Sequence, residues 1–157
     1  MVFEAHRYRV AILDDAVAEI RRIAGVWAPL EGGGVLVGSS YPLGDELVHV
    51  IERVIPPPPD SICRSGEFER GEQGLAEALE ALSPMIYLGE WHTHGSGDIS
   101  PSHIDELAMF QIAADAGYCQ PSPILAIAKA QGEQIEPFDL TITIFSGADR
   151  IDLRQVV

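Results

Sequence analysis

Cysteine is scarce in this sequence. The two cysteines, Cys63 and Cys119, are far apart and lack the Cys-x-x-Cys spacing of zinc ribbons. The pattern therefore predicts neither a disulfide framework nor a thiolate zinc site, and we expect two free thiols.

Basic residues are also few. Lysine and arginine number 10 against 24 aspartate and glutamate residues, which gives a net charge of 10 − 24 = −14. Such a surface repels phosphate groups, so nucleic acid and anionic membranes are poor partners. Its field favours basic segments of a partner protein, although the same charge can serve solubility alone.

Long apolar runs are missing as well. The chain has no stretch of about 18 uncharged apolar residues, and residues 1–20 contain no apolar segment of signal-peptide length. We therefore expect a cytoplasmic protein. The length of 157 residues and the hydrophobic content of 46% suffice for a buried core, so we expect a single domain over residues 1–157.

Strands and helices alternate irregularly along the chain. The spacing of apolar residues predicts strands over 7–13, 35–38, 46–55, 85–94, 124–130 and 138–145, and helices over 14–24, 75–82 and 101–116. A short last element is expected over 151–156. We expect Ser100 to cap the third helix, and Ile104, Leu107, Ala108 and Ile112 to share one face of it. The irregular order predicts an α/β (α+β) fold, with a mixed central β-sheet flanked by helices.

Residues with metal-binding chemistry are concentrated between positions 92 and 105. His92 and His94 are two positions apart on a predicted strand, so their side chains leave the same face about 6.5–7 Å apart and can converge on one ion. Ser102 and Asp105 are three apart on the predicted helix and are therefore neighbours. Two imidazoles and one carboxylate leave a fourth position open for water, which is typical of catalytic zinc.

Hydrolysis also needs a base that takes a proton from water and passes it to the leaving amine. Glu31 is one candidate, because it precedes Gly32–Gly34, and glycines let a backbone pass close to a site. Glu90 is the other, since strand alternation puts it on the same face as His92. Ser102 is a candidate hydroxyl donor to a developing oxyanion.

Together these residues resemble the JAMM motif of the JAB/MPN (Mov34) metalloprotease family. The sequence contains Glu-x-x-Gly-x-Leu-x-Gly and then His-x-His, seven residues and Ser-x-x-Asp. The resemblance implies one Zn²⁺ ion with His92, His94, Asp105 and a water molecule as ligands. It also implies Glu31 as the water-activating carboxylate, in preference to Glu90, and Ser102 as the oxyanion-stabilising serine.

The segment Tyr87–His94 is similar to the prokaryotic branch of that family. This resemblance implies a JAB/MPN (cytidine-deaminase-like) fold and hydrolysis of a peptide or isopeptide bond at the C-terminal tail of a ubiquitin-like protein or sulfur carrier. Ubiquitin-like activating or conjugating enzymes are further implied partners. Gly95 departs from the pattern, because many members have proline there, but the change removes no ligand.

Two alternative functions are weaker. A cytidine-deaminase-like hydrolase would need His-x-Glu and Pro-Cys-x-x-Cys, and this chain has neither. A catalytically silent MPN scaffold, which binds partner proteins without cutting them, usually lacks some ligands that are all present here.

The segment from Pro56 to Arg70 is a candidate substrate rim. An extended tail can be held by adding it as a strand to a sheet edge, and polar loops beside a rigid sheet often carry specificity. The competing interpretation is a solvated connector without a role.

Overall fold

The structure is a computed structural model and describes residues 1–95, 98–129 and 138–156. Within these ranges, the strands are β1 (Val2–Ala5), β2 (Tyr8–Ile12), β3 (Gly33–Leu43), β4 (Glu46–Ile55), β5 (Ile62–Arg64), β6 (Glu67–Glu69), β7 (Ile86–His94), β8 (Ile124–Lys129), β9 (Leu140–Ser146) and β10 (Asp149–Val156). The helices are α1 (Asp14–Trp27), α2 (Leu75–Ala81) and α3 (His103–Ala114), and a 3-10 turn follows at Ala116–Tyr118. No described helix is long and apolar enough to cross a bilayer.

Eight strands form one mixed sheet that closes on itself. Its order is β1-β10-β9-β8-β7-β3-β4-β2, and β1 pairs with both β10 and β2. The pairs β2–β4 and β7–β8 are parallel, whereas the others are antiparallel. The predicted mixed central sheet with flanking helices is therefore confirmed, and the structure adds that the sheet has no open edge.

The alternation of side chains along the strands creates two apolar cores. On β8, Ile124, Ala126 and Ala128 belong to the core that includes α1. Leu125 and Ile127 point the other way, into the core that includes α2 and α3. Because every strand residue faces the side opposite to its neighbour, one continuous apolar run serves both cores.

Several elements differ from the predicted ones. Strand β3 extends to Leu43, so the turn before β4 is only Gly44–Asp45, where the φ of +61° at Gly44 suits a residue without Cβ. Strand β1 was not predicted. The segment expected to be a loop contains β5 and β6, which form a separate two-stranded hairpin. The predicted strand 124–130 corresponds to β8, and its last predicted residue, Ala130, lies outside the described residues.

The predicted cap of α3 was wrong, and of the four residues on its predicted apolar face only Ile112 is buried. Ser102, not Ser100, is the N-cap, and helix α3 begins at His103. Ile104 is 78% and Leu107 51% exposed, whereas Met109 and Ile112 are buried. The helix therefore rests on the sheet through its later turns, which leaves its first turn free to stand beside the end of β7.

Candidate metal and catalytic site

Strand β7 brings His92 and His94 to the same face, as their spacing predicts. Their Nε2 atoms are 3.1 Å apart and their ring centroids 5.0 Å apart. His92 is buried and His94 half-buried. The two imidazoles therefore converge at one point instead of pointing separately into solvent.

Asp105 completes this cluster from the first turn of α3. Its Oδ1 lies 3.3 Å from His92 Nε2, and its Oδ2 lies 3.5 Å from His94 Nε2. A capping box fixes the carboxylate, because Ser102 N–H donates to Asp105 Oδ2 over 2.7 Å and Asp105 N–H donates to Ser102 Oγ over 3.2 Å. The Ser-x-x-Asp spacing thus both starts the helix and aims the carboxylate at the histidines.

The arrangement of these donors suits a divalent cation. His94 Nδ1 lies 3.0 Å from the Asp98 carbonyl oxygen, which can only accept, so the proton of a neutral ring must sit on Nδ1. His94 Nε2 then presents a lone pair to His92 Nε2 and to the Asp105 carboxylate. Such facing acceptors repel one another unless a proton or a metal cation lies between them. His92, His94 and Asp105 have ligand atoms that all lie within 4.8 Å of one another, and they could hold a metal ion.

Electrostatics in the cluster keep the carboxylate charged. Burial raises the pKa of Asp105, but hydrogen bonds with His92 and His94 outweigh it and bring the pKa well below its usual range. The same contact with Asp105 raises the pKa of His94, against the effect of burial, and the charge of Glu31 acts in the same direction. Asp105 therefore stays ionised and offers a negatively charged ligand to a cation.

Glu31 lies beside the histidines because hydrogen bonds join the segment that follows it to strand β7. Thr93 N–H donates to Gly32 O over 2.8 Å, and Gly32 N–H donates to Thr93 Oγ1 over 3.0 Å. The Glu31 side chain is 9% exposed, and its Oε1 accepts from Gly95 N–H over 3.2 Å. The carboxylate is thus fixed against the residue that follows His94.

Glu90, the other candidate base, accepts hydrogen bonds from Arg70 and Tyr87 on its two carboxylate oxygens. Arg70 Nε lies 3.0 and 2.8 Å from its two oxygens, and the Tyr87 hydroxyl donates to Oε1 over 2.8 Å. Burial raises the pKa of Glu90 to about 7, against the opposing effects of Arg70 and Tyr87. That pKa would suit a general base, but both oxygens already accept hydrogen bonds. The geometry therefore favours Glu31 as the available carboxylate.

The hydroxyl proton of Ser102 has no acceptor among the described residues. Its Oγ accepts the Asp105 N–H, which uses an oxygen lone pair and leaves the hydroxyl proton available. The side chain lines the same cavity as His92, His94, Asp105 and Glu31. The structure thus brings all five predicted site residues to one place.

The cavity has a volume of about 800 Å³. The β5–β6 hairpin contributes residues 65–69 to one wall, and Ile104, Ala108, Met109 and Ile112 of α3 contribute apolar surface to another. A space of this size can hold a short peptide segment next to the histidines.

Three contacts near the site could not be predicted from the sequence, although Phe68 and Arg70 belong to the predicted substrate rim from Pro56 to Arg70. Phe68 stacks on His92, with ring centroids 6.2 Å apart and planes 25° apart. Arg70 reaches Glu90, and its Nη2 donates to the Tyr118 hydroxyl over 2.8 Å. These contacts join residues that are far apart in the sequence, so no local spacing indicates them. The only signal was indirect. Glu90, two positions before His92 on a buried strand, requires a partner for its charge.

Comparisons with known proteins show the family and the fold of this chain. The family model for prokaryotic homologs of the JAB domain matches residues 13–142. A protein of Enterobacter hormaechei named CD-NTase/cGAS isopeptidase is 32% identical over 130 residues, which cover 81% of this chain and 70% of that protein. The solution structure of a protein from Desulfitobacterium hafniense matches with a TM-score of 0.60 and 20% identity, over 91% of this chain and 88% of that one. The last similarity concerns the fold alone.

Proposed function

Because the chain belongs to the family of prokaryotic homologs of the JAB domain, we propose that it is a zinc-dependent peptidase or isopeptidase. Its proposed substrate is the C-terminal tail of a ubiquitin-like protein or sulfur carrier. One observation carries the proposal: His92, His94 and Asp105 turn their ligand atoms toward one another in a cavity that they share with Glu31 and Ser102. The isopeptidase name of the Enterobacter relative supports the reaction class.

In this proposal His92, His94 and Asp105 hold the ion. Zinc bound there would supply Lewis acidity, which polarises a substrate carbonyl and lowers the pKa of water. The Nδ1 contact of His94 with Asp98 O and the capping box of Asp105 orient two of the ligands before any metal arrives. The chain thus loses little conformational entropy when the ion binds.

Glu31 is the proposed base and acid. Its carboxylate takes the proton of the attacking water, and the protonated Oε then gives that proton to the leaving nitrogen as the bond to the carbonyl carbon breaks. The Gly95 N–H on Oε1 and the bonds between Gly32 and Thr93 keep this side chain in place between the two transfers.

Ser102 is the proposed donor to the oxyanion. Its hydroxyl stands at the N-terminus of α3, where the capping contacts fix Oγ and the helix dipole favours negative charge. A developing oxygen charge on the substrate would receive this hydrogen bond mainly in the transition state, which is where it accelerates the reaction.

The substrate tail is proposed to lie along the β5–β6 hairpin. Among the described strands β6 pairs only with β5, so its other edge can receive an extended peptide by backbone hydrogen bonds. The net charge of −14 would favour a basic tail. We further propose that residues 1–157 act as one catalytic domain in the cytoplasm and that ubiquitin-like activating or conjugating enzymes are partners.

The decisive experiment compares Glu31→Gln with the wild type. The test substrate is a fluorescent protein fused to the tail of a ubiquitin-like protein, with the cut mapped by mass. We expect about one zinc per chain in both proteins and a rate lower by about 10²–10⁴-fold in the variant, because only the proton transfer is lost. Glu80→Gln, which changes an exposed carboxylate on α2, is the matched control and should cleave normally.

The outcomes separate the alternatives. Wild-type cleavage by Glu31→Gln with full zinc content would show that Glu31 is not the base. A wild-type protein that binds no zinc and leaves every tail intact would instead support the silent scaffold.

A further inference from the structure

The hairpin that walls the cavity has little support of its own. Strands β5 and β6 contain three residues each and pair only with each other among the described strands. An isolated two-stranded hairpin is marginally stable in water, so its position must come from contacts outside it.

Two of those contacts reach the candidate site directly. The Glu31 N–H donates to the Arg64 carbonyl oxygen of β5 over 2.9 Å. Phe68 of β6 stacks on His92, and Gly33 makes room for it, because a Cβ at Gly33 would lie 2.5 Å from Phe68 Cε1. A shift of the hairpin would therefore disturb the candidate base and a candidate ligand together.

The strongest contact lies at the end of the hairpin, where Arg70 directly follows β6. Its Nε is bonded to both oxygens of Glu90, its Nη1 donates to Gly71 O over 2.9 Å and its Nη2 donates to the Tyr118 hydroxyl over 2.8 Å. The side chains of Arg70 and Glu90 are only 12% and 11% exposed. A buried guanidinium whose three nitrogens all donate hydrogen bonds holds one geometry far better than an exposed ion pair does.

We propose that Arg70 is a positioning residue that, through Glu90 and Tyr118, clamps the β5–β6 hairpin over His92 and against Glu31. Glu90 lies on the same strand as His92 and His94, so the clamp ties the wall of the cavity to the strand that carries the ligands. The consequence for catalysis rests on the proposed function, whereas the consequence for the hairpin does not.

A hairpin fixed in advance gives a substrate tail an ordered edge. The tail then loses its own freedom on binding, but the protein does not have to order a loop as well. The clamp also explains why Glu90, two positions before His92, is buried and bonded to Arg70.

Hydrogen exchange of the zinc-loaded protein tests the clamp without a substrate. In Arg70→Met, we expect the amides of residues 62–69 to exchange about tenfold faster, while those of β7 and β8 change by less than about twofold. Arg64→Met is the matched control, since it removes an arginine of the same hairpin whose ion pair with Glu67 is exposed. It should leave hairpin exchange unchanged, and zinc content should stay the same in all three proteins.

Two milder variants keep the test valid if Arg70→Met folds poorly. Tyr118→Phe removes only the acceptor of Nη2, and Arg70→Lys keeps the charge but loses the contacts of the guanidinium. Both should accelerate hairpin exchange by a smaller factor than Arg70→Met. Hairpin exchange equal to that of the wild type in all variants, or an equal rise across β7 and β8, would overturn the proposal.

Kinetics with the fusion substrate give the second measurement. Loss of folded protein lowers apparent kcat and leaves KM unchanged, whereas a displaced wall weakens substrate binding. We therefore expect KM of Arg70→Met to rise by about tenfold, with kcat/KM lower by up to about 10²-fold. An unchanged KM together with faster hairpin exchange would contradict the proposed binding of the tail along the hairpin and would leave the clamp supported. If the wild type cleaves no substrate, the proposed function fails, and the exchange result still decides the clamp.

Discussion

Replacing Gly33 by alanine tests how closely β3 and β7 approach at the candidate site. A Cβ at this position would lie 2.3 Å from Trp91 O, 2.5 Å from Phe68 Cε1 and 2.8 Å from His92 Cβ. The contact with Trp91 O involves the backbone of the neighbouring strand, so rotation of a side chain cannot relieve it. The two strands must separate, or Phe68 must leave His92.

The expected cost follows from this overlap. Extra atoms in a well-packed region cost about 1–3 kcal/mol. For a chain of this length about 2 kcal/mol corresponds to a fall of about 4–8 °C in the melting temperature. Gly95→Ala is the matched control at the other end of the His92–His94 segment, because among the described residues its Cβ would meet only Pro29 O, at 3.4 Å. That variant should change stability by less than about 0.5 kcal/mol.

The assay is urea and thermal unfolding of both variants in EDTA, so that metal binding does not mask the difference. Gly33→Ala should unfold at lower urea concentration with an unchanged slope, and Gly95→Ala should match the wild type. Equal stability of the two variants would refute the close approach of β3 and β7. A loss of stability in Gly95→Ala alone would refute it as well.

Two further predictions concern pH and salt. His49 is fully buried, neither ring nitrogen has a hydrogen-bond partner among the described residues, and burial lowers its pKa from 6.5 to about 4. Between pH 4 and 6.5 the unfolded chain binds a proton at His49 that the folded protein does not bind. The free energy of unfolding should therefore rise by about 3 kcal/mol as the pH increases from 4 to 6.5. Unfolding curves of His49→Leu over that range should lack this increment, and an unchanged slope would contradict the burial of His49. If the net charge of −14 attracts a basic tail, kcat/KM of the fusion substrate should fall as salt rises from about 10 to 150 mM, and a constant value would exclude such attraction.

Much of the candidate site follows from local spacing in the sequence. The alternation of a strand puts His92 and His94 on one face, and the Ser-x-x-Asp pattern joins Ser102 to Asp105. The resemblance to a known motif selected Glu31 over Glu90. In the structure Glu90 bonds to Arg70, whereas Glu31 lines the cavity together with His92 and His94. Spacing could not reveal this contact, since it spans 20 positions and depends on how the hairpin folds back.

The errors in the sequence prediction have physical causes. Ser100 and Ser102 can both cap a helix, and the choice depends on which one finds a carboxylate three residues later. Asp105 satisfies Ser102, so α3 begins at His103. Ile104 and Leu107 share the predicted apolar face with Ile112, but the first two turns of α3 leave them exposed, whereas Ile112 in a later turn is buried.

The sequence alone determined the chemistry that this chain can offer. Side chains two apart on a strand or three apart on a helix are neighbours for reasons of backbone geometry, and the scarcity of cysteine and basic residues follows from counting. Only the tertiary structure decided which neighbours meet across long separations. It brought α3 to the end of β7, Glu31 to Gly95 and Arg70 to Glu90. Such contacts depend on the burial of two cores and the closure of the sheet, which are properties of the whole chain and not of any segment.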